Sequence, residues 1–446
     1  MCADLCILTT LRQRGKLPTL GLNPESSLRN RAPITTPNDE VRASMRAEWI
    51  SVKGIVVLSC VLGLAAVAAP RAQAQTFAVI YTFTGGSDGA NPLAGFAIDG
   101  LGNLYGTAAY GGTSGDGVVF KLSTSGQETV LHDFTGGTDG ANPEASLIMD
   151  KSGNLYGTSY SGGVSNAGTV FMITRSGKEK VLYSFAGGVD GANPVAGLTM
   201  DKAGNLYGTT TAGGSSGNGT VFKLAVPTVD GGPWKESLLY SFGTGTDGTI
   251  PIAGVTFDAA GNLYGTTSAG GTYGYGTVFQ LVRSKSGWTE NVLHEFALGN
   301  DGGVPYAGLV PNGTGGFYGA ASDGGSGGEI GGGTVFELTH ASGGWTFTVL
   351  YDLSGWGISG TFRNILLKSG NIYATTHCDG DYSAGTVYEL TPANGTWTYN
   401  SLYVFTGGTD GTFSFSNLVF DKAGNLYGTT NVGGANGFGV AFKVTP

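Results

Sequence analysis

One short phrase recurs along the chain and fixes most of what it can fold into. Its clearest copy is Asp201-Lys202-Ala203-Gly204-Asn205-Leu206-Tyr207-Gly208-Thr209-Thr210. The Gly-Asn-Leu-Tyr-Gly core, or a close variant, places its tyrosine at Tyr105, Tyr156, Tyr207, Tyr264, Tyr318, Tyr373 and Tyr427, giving successive spacings of 51, 51, 57, 54, 55 and 54 residues. A period near 50 with several short strands per unit is the signature of propellers and related arrays. Within one unit, Ala196 to Met200 alternates and enters the Gly204-Asn205 turn as a first strand, and Leu206 to Thr210 is the second. Glycine-rich turns then lead to a third strand, Thr220 to Leu224, and a hairpin leads to a fourth, Leu238 to Phe242. Four antiparallel strands in sequence make one propeller blade.

The fourth-strand type appears first at Phe77 to Phe83, ahead of any first strand, and is missing after the last third strand, Val440 to Val444. The predicted fold is therefore all-β, a seven-bladed β-propeller of four-stranded antiparallel blades, closed by the N-terminal strand pairing into the last blade. Closure removes the sheet edges that an open array would leave exposed. Composition agrees. Glycine is 81 of 446 residues, where a usual ~7% would give about 31. That suits an all-β chain with many tight turns.

Three phrases carry a resemblance to a known family: Gly-Gly-Thr-Asp-Gly-Ala-Asn-Pro at 136–143, Asp-Lys-Ala-Gly-Asn-Leu-Tyr-Gly-Thr-Thr at 201–210 and Gly-Thr-Val-Phe-Lys-Leu at 219–224. The chain resembles the GloVer (Gloeobacter/Verrucomicrobia-type) tandem-repeat proteins from about residue 76 onward. The resemblance implies an exported bacterial protein and transfers no catalytic residues. Some members carry a C-terminal sorting anchor, whereas this chain ends directly after the last strand at Pro446.

Residues 45–74 read as a signal peptide. Arg46 and Lys53 precede an apolar run from Gly54 to Ala69, and Ala72-Gln73-Ala74 is a small-x-small cleavage site. Residues 1–44 precede that signal and read as a leader outside the native chain, with translation expected to start at Met45. The mature chain, 75–446, is then the propeller. Cleavage after Ala74 removes nine of 23 basic and five of 32 acidic residues, leaving 14 against 27 and a net of −13. Such a surface disfavours nucleic acid and anionic lipid, which call for basic patches. Of Cys2, Cys6, Cys60 and Cys378, only the last lies beyond the signal, so no intrachain disulfide is expected in the mature form. The expected state is a monomer, periplasmic or extracellular, with no membrane anchor after cleavage.

With no metal-spaced histidines and no nucleophile motif, chemistry has to be sought where units differ. Asp88, Asp139, Asp190, Asp247, Asp301 and Asp410 repeat in the loops entering six of the seven units. They offer about two side-chain oxygens per loop where calcium takes 6–8, so a turn role is favoured over calcium. His132 and His294 stand where other units have tyrosine, which points to a packed site with a polar tip. Trp234, Trp288, Trp345 and Trp397 share one place ahead of the fourth strand and are expected to cover the outer hairpins. Unit six breaks the pattern most, with Trp356 and Arg363 around its first strand and His377, Cys378, Asp379 and Asp381 in its second loop. Unit five adds Asp323 and Glu329. Because strand direction alternates, these residues should share one rim. A candidate ligand patch therefore comprises Trp356, Arg363, His377, Asp379, Asp381, Asp323 and Glu329. The expected function is non-enzymatic binding or scaffolding for an extracellular glycan, peptide or cell-envelope partner. The alternatives are a glycan-cleaving hydrolase or lyase using Asp379 and Asp381, and a purely structural surface protein.

Overall fold

The computed structural model describes residues 75–446 apart from 230, 244, 286, 327–330 and 354–359. The leader and signal segments, together with Trp356 and Glu329, lie outside the described residues. Seven four-stranded antiparallel sheets, six of them with their strands in chain order, form the blades of a β-propeller. Blade 1 consists of Ala97–Ile98, Leu104–Ala108, Val118–Leu122 and Glu128–Asp133. Blade 3 consists of Thr199–Met200, Leu206–Thr210, Thr220–Ala225 and Lys235–Ser241.

The last blade is completed by the first strand. Val419–Phe420, Leu426–Thr430 and Val440–Thr445 are joined by Thr76–Thr82, which runs antiparallel to Val440–Thr445 with Thr76 opposite Thr445 and Thr82 opposite Val440. A register shift between Val79 and Tyr81 interrupts this pairing. Blade 3 shows the same shift between Val221 and Phe222. The closing strand thus reproduces the irregularity of an ordinary fourth strand.

The first strands are shorter than their alternation suggests. Blade 3 pairs only Thr199 and Met200, where the pattern extends back to Ala196. Ahead of that pair the Ala196 carbonyl accepts instead from the Thr158 hydroxyl of the preceding blade at 3.1 Å.

The core lies between blades and not within them, because both faces of each sheet are covered by a neighbour. The phenylalanine ending each outer strand meets the third-strand phenylalanine of the next blade at ring separations of 5.1–5.6 Å in six joints, from Phe83–Phe120 to Phe405–Phe442. These rings are fully buried, each contributing roughly 1.5–3 kcal/mol by area. The seventh joint, between blades 5 and 6, has Leu353 and Tyr388 instead. A threonine in the second strand also ties each blade to the next. Thr107, Thr158, Thr209, Thr266, Thr375 and Thr429 donate to the carbonyls of Ala145, Ala196, Ala253, Ala307, Ser416 and Ala94 at 2.9–3.3 Å. Blade 5 has Ala320 at that position, and Ser322 donates to the Thr361 carbonyl at 2.8 Å instead.

Candidate functional site

Loops entering each blade and loops between its second and third strands lie side by side on one face. Short antiparallel bridges join them at Ala90–Tyr110, Ala141–Ser161, Ala192–Ala212, Gly303–Asp323 and Thr412–Val432. On this rim each entering-loop aspartate accepts locally through at least one oxygen. Asp88 accepts from the Tyr81 hydroxyl at 2.9 Å and the Thr84 amide at 2.8 Å. Asp190 accepts from Tyr183 at 3.0 Å and the Ala186 amide at 2.7 Å. His132 and His294 replace tyrosine because they reach the same acceptors, Asp139 at 3.3 Å and Asp301 at 3.0 Å. Among the described residues, no group of three or more His, Cys, Asp or Glu side chains is placed to hold a metal.

The residue after the blade-entry proline faces the axis in blades 1 to 4, as Leu93, Glu144, Val195 and Ile252. In blades 5 to 7 the same place holds Tyr306, Phe362 and Phe415. These form an aromatic arc. Tyr306 stacks on Phe362 at 4.9 Å, and Phe362 meets Phe415 edge-on at 5.1 Å. His377 packs against Phe362, Phe413 and Phe415 at 4.8, 4.7 and 4.3 Å. Burial among these rings pushes its pKa down to about 3, so the imidazole is neutral.

Arg363 crosses the axis from blade 6. Its guanidinium donates to the backbone carbonyls of Glu144, at 3.2 Å, and Val195, at 3.5 Å. Burial raises the pKa of the Glu144 carboxyl, and the nearby Arg363 charge pulls it back. Asn364 and Asn417 stand where four other blades have glycine. Asn364 accepts from the Gly308 amide at 2.7 Å, and Asn417 reaches Ser146 across the ring at 3.2 Å. A cavity of about 380 Å³ remains along the axis beside them.

The predicted patch is therefore divided. Asp323 lies near Tyr306, and through Tyr306 and Phe362 it is contiguous with His377 and Arg363. Asp379 turns into the joint between blades 5 and 6, where it raises the pKa values of Tyr351, Tyr388 and Tyr399 further than burial alone does. Blade 6 lacks the repeated entry aspartate, and Asp379 brings a negative charge near Tyr351, which stands where other blades have Tyr81 and Tyr183. Asp381 is exposed. The rim also carries the exposed aromatic side chains of the described residues, Tyr110, Tyr160, Tyr273, Tyr382 and Phe438. All five lie in loops between second and third strands, with Tyr382 at 62% and Tyr273 at 58% exposure.

The repeated phrase has a hydrogen-bonding logic of its own. Asp201 accepts from the Ala203 and Asn205 amides at 2.9 Å, from the Asn205 side chain at 2.8 Å and from Tyr207 at 3.2 Å. The model of the Gloeobacter/Verrucomicrobia repeat matches residues 68–258 and 255–446. The chain belongs to that family. No curated protein matches it. Solved structures share the propeller fold with this Gloeobacter/Verrucomicrobia repeat protein at low identity. An ancestral GH74 enzyme gives a TM-score of 0.50 at 14% identity, covering 80% of this chain and 48% of its own. This chain thus spans about half of that enzyme. An ulvan lyase, bound to a GlcA–Rha3S segment, gives 0.46 at 12% over 81% and 94% of the two chains. A glucose dehydrogenase gives 0.43 at 12% over 68% and 96%.

Sequence reasoning missed the axial residues Glu144, Tyr306, Phe362, Asn364, Phe415 and Asn417. The signal that finds them in a Gloeobacter/Verrucomicrobia repeat chain is a comparison of blades at a fixed offset from the hairpin aspartate. The same two positions read glycine and aliphatic in some blades, asparagine and aromatic in others.

Proposed function

We propose that this chain is an exported, non-catalytic binding module whose rim face holds a carbohydrate chain. The observation that carries this reading is the placement of Tyr110, Tyr160, Tyr273, Tyr382 and Phe438 in one set of loops on one face. Exposed aromatic rings are costly to leave in water unless something stacks on them, and a sugar ring offers an apolar face with hydroxyls at its edge. Along the axis, Arg363 and Asn364 add polar groups to the lining of the central cavity. Export rests on the pattern of residues 45–74. Asp379 sits against tyrosines and Asp381 stands in solvent, an arrangement that supports turn and joint roles more than a paired acid and base.

Titrating residues 75–446 with soluble polysaccharides tests the reading. Saturable binding without product is expected, weakened several-fold by Tyr382→Ala and by Tyr273→Ala. Turnover abolished by Asp379→Ala or Asp381→Ala replaces it with a glycan-cleaving enzyme.

A further inference from the structure

The seven joints act as controls for one another on the opposite face, where the first-to-second and third-to-fourth strand hairpins lie. Each joint presents the ring of the repeated tyrosine near this surface. In four of them an indole from the next blade's outer hairpin covers it. Trp234 meets Tyr156 at 6.3 Å, Trp345 meets Tyr264 at 5.5 Å, and Trp397 meets Tyr318 at 6.0 Å. Trp288 packs into the cluster that holds Tyr207. The blade 1–2 joint has no tryptophan, but the Arg175 charge stands close enough to act on Tyr105. In the blade 6–7 joint Phe420 packs edge-on against Tyr373 at 5.0 Å.

The joint between blades 7 and 1 is different. Its counterparts of Arg175 and the tryptophans are Thr124 and Gly126, too short to reach Tyr427. A groove of about 750 Å³ is left, lined among others by Ile98, Leu104, Phe420 and Tyr427. That volume lies within the range of ligand sites. At its edge Leu101 is 83% and Val79 38% exposed. Lys422 donates to the Gly100 carbonyl at 2.8 Å and ties the two blades together beside the groove. The charges around it, Lys422 and Lys443 against Asp99 and Asp421, cancel.

We infer that this groove receives a tryptophan side chain from a partner polypeptide, in the manner that four sister joints receive one from their own chain. The neighbouring joints show what fits between a repeat tyrosine and the next blade's turn, and the balanced edge charge suits a neutral ring. Exposed Leu101 and Val79 provide flanking apolar contact for the segment that carries it. The groove is independent of the rim face, so this inference and the carbohydrate reading stand or fall separately.

The probes are N-acetyl-L-tryptophanamide and an uncharged heptapeptide with central tryptophan, followed by saturation-transfer NMR and calorimetry on the full chain. The small probe should bind with a Kd on the order of 0.1–1 mM, and the peptide more tightly. Thr124→Arg, which imitates the neighbouring joint, should weaken both at least tenfold. Leu101→Glu, at an exposed position that leaves folding alone, should weaken the peptide several-fold. Tyr382→Ala on the other face should change neither. Absence of saturation at ~10 mM probe, or binding unaffected by both Thr124→Arg and Leu101→Glu, overturns the inference. Equal binding of a soluble oligosaccharide that competes with the indole at this groove does the same.

Discussion

The glycine of each Leu-Tyr-Gly step is required by a ring lying over it. A Cβ on Gly208 would come within 2.7 Å of the Phe222 ring and 3.0 Å of Leu198. Both neighbours are buried in a packed joint and have little room to give. Gly208→Ala should therefore destabilise the protein by about 1–3 kcal/mol, as overpacking does, read as a lower denaturation midpoint at unchanged slope. Blade 6 supports the cause, since it has Ala374 where the others have glycine and Tyr388 where they have phenylalanine. The Tyr388 ring is drawn toward Tyr399, stacked at 5.2 Å, and its hydroxyl meets Thr361 at 2.8 Å. The entering-loop aspartates make a second test at this scale. Asp190→Ala strands the Tyr183 hydroxyl and the Ala186 amide, and should cost about 1–3 kcal/mol in the same denaturation experiment. A variant as stable as the parent would refute the local turn role.

Blades are interchangeable elements, and where one departs from the pattern it compensates internally. In blade 3 the turn aspartate, Asp201, accepts from the Tyr207 hydroxyl, and the Lys223 ammonium lies 5.4 Å from the centre of the same ring. In blade 6 Lys368 takes the aspartate's place and Glu389 the lysine's, and Asn371 and Tyr373 now donate to Glu389 at 2.7 and 2.6 Å. The charges have exchanged positions and the turn survives. Closure is the other element-scale property. Deleting residues 75–83 would remove the outer strand of the last blade and expose the edge of Val440–Thr445. The truncated chain should lose its cooperative melt and elute as oligomer or aggregate in size-exclusion chromatography with light scattering; a well-melting monomer would contradict closure as a source of stability. This part of the fold was legible in sequence because an orphan strand type at Phe77 to Phe83 and a missing one after Val444 can be counted. The axial site was much less legible. Tyr306, Phe362 and Phe415 lie outside the repeated phrase, one residue per blade, and acquire meaning only when seven blades bring them to one axis. Arg363 stood out by its oddity, yet its partners, the carbonyls of Glu144 and Val195, are backbone atoms that no side-chain pattern announces. Asp379 stood out for the same reason and turned toward a joint.

At the scale of the whole ring, four joints share one electrostatic arrangement with a consequence for pH. Glu128, Glu179, Glu236 and Glu290 in the outer strands are half-buried, each beside the entry aspartate of its own blade: Asp88, Asp139, Asp190 and Asp247. Burial first, and the neighbouring carboxylate second, push all four up to about 7. One oxygen of each is buried, with no donor among the described residues reaching it, an environment that favours the protonated acid. A carboxyl raised in the folded state binds protons more tightly there than in the unfolded chain, where it titrates near 4.5. Its contribution is complete below about 4.5 and is lost as pH rises through about 7. Other groups act in the opposite sense. The turn aspartates Asp99, Asp150, Asp201, Asp258 and Asp421 are held low, chiefly by the asparagine and amide donors that overcome burial, and favour the fold above their unfolded pKa. His377, lowered to about 3, together with the lowered His132 and His294, favours the fold above 6.5 and loses that contribution under acid. Between about pH 5 and 8 the aspartates are already ionised in both states and the histidines are outnumbered by the four glutamates. The melting temperature should therefore peak near pH 5 and decline toward pH 8. Replacing Glu128, Glu179, Glu236 and Glu290 together by glutamine, which keeps the shape and removes the titration, should flatten that decline while leaving the acid-side loss intact. A parent protein whose melting temperature climbs from pH 5 to pH 8 would show that these carboxyls are ionised and solvated in solution.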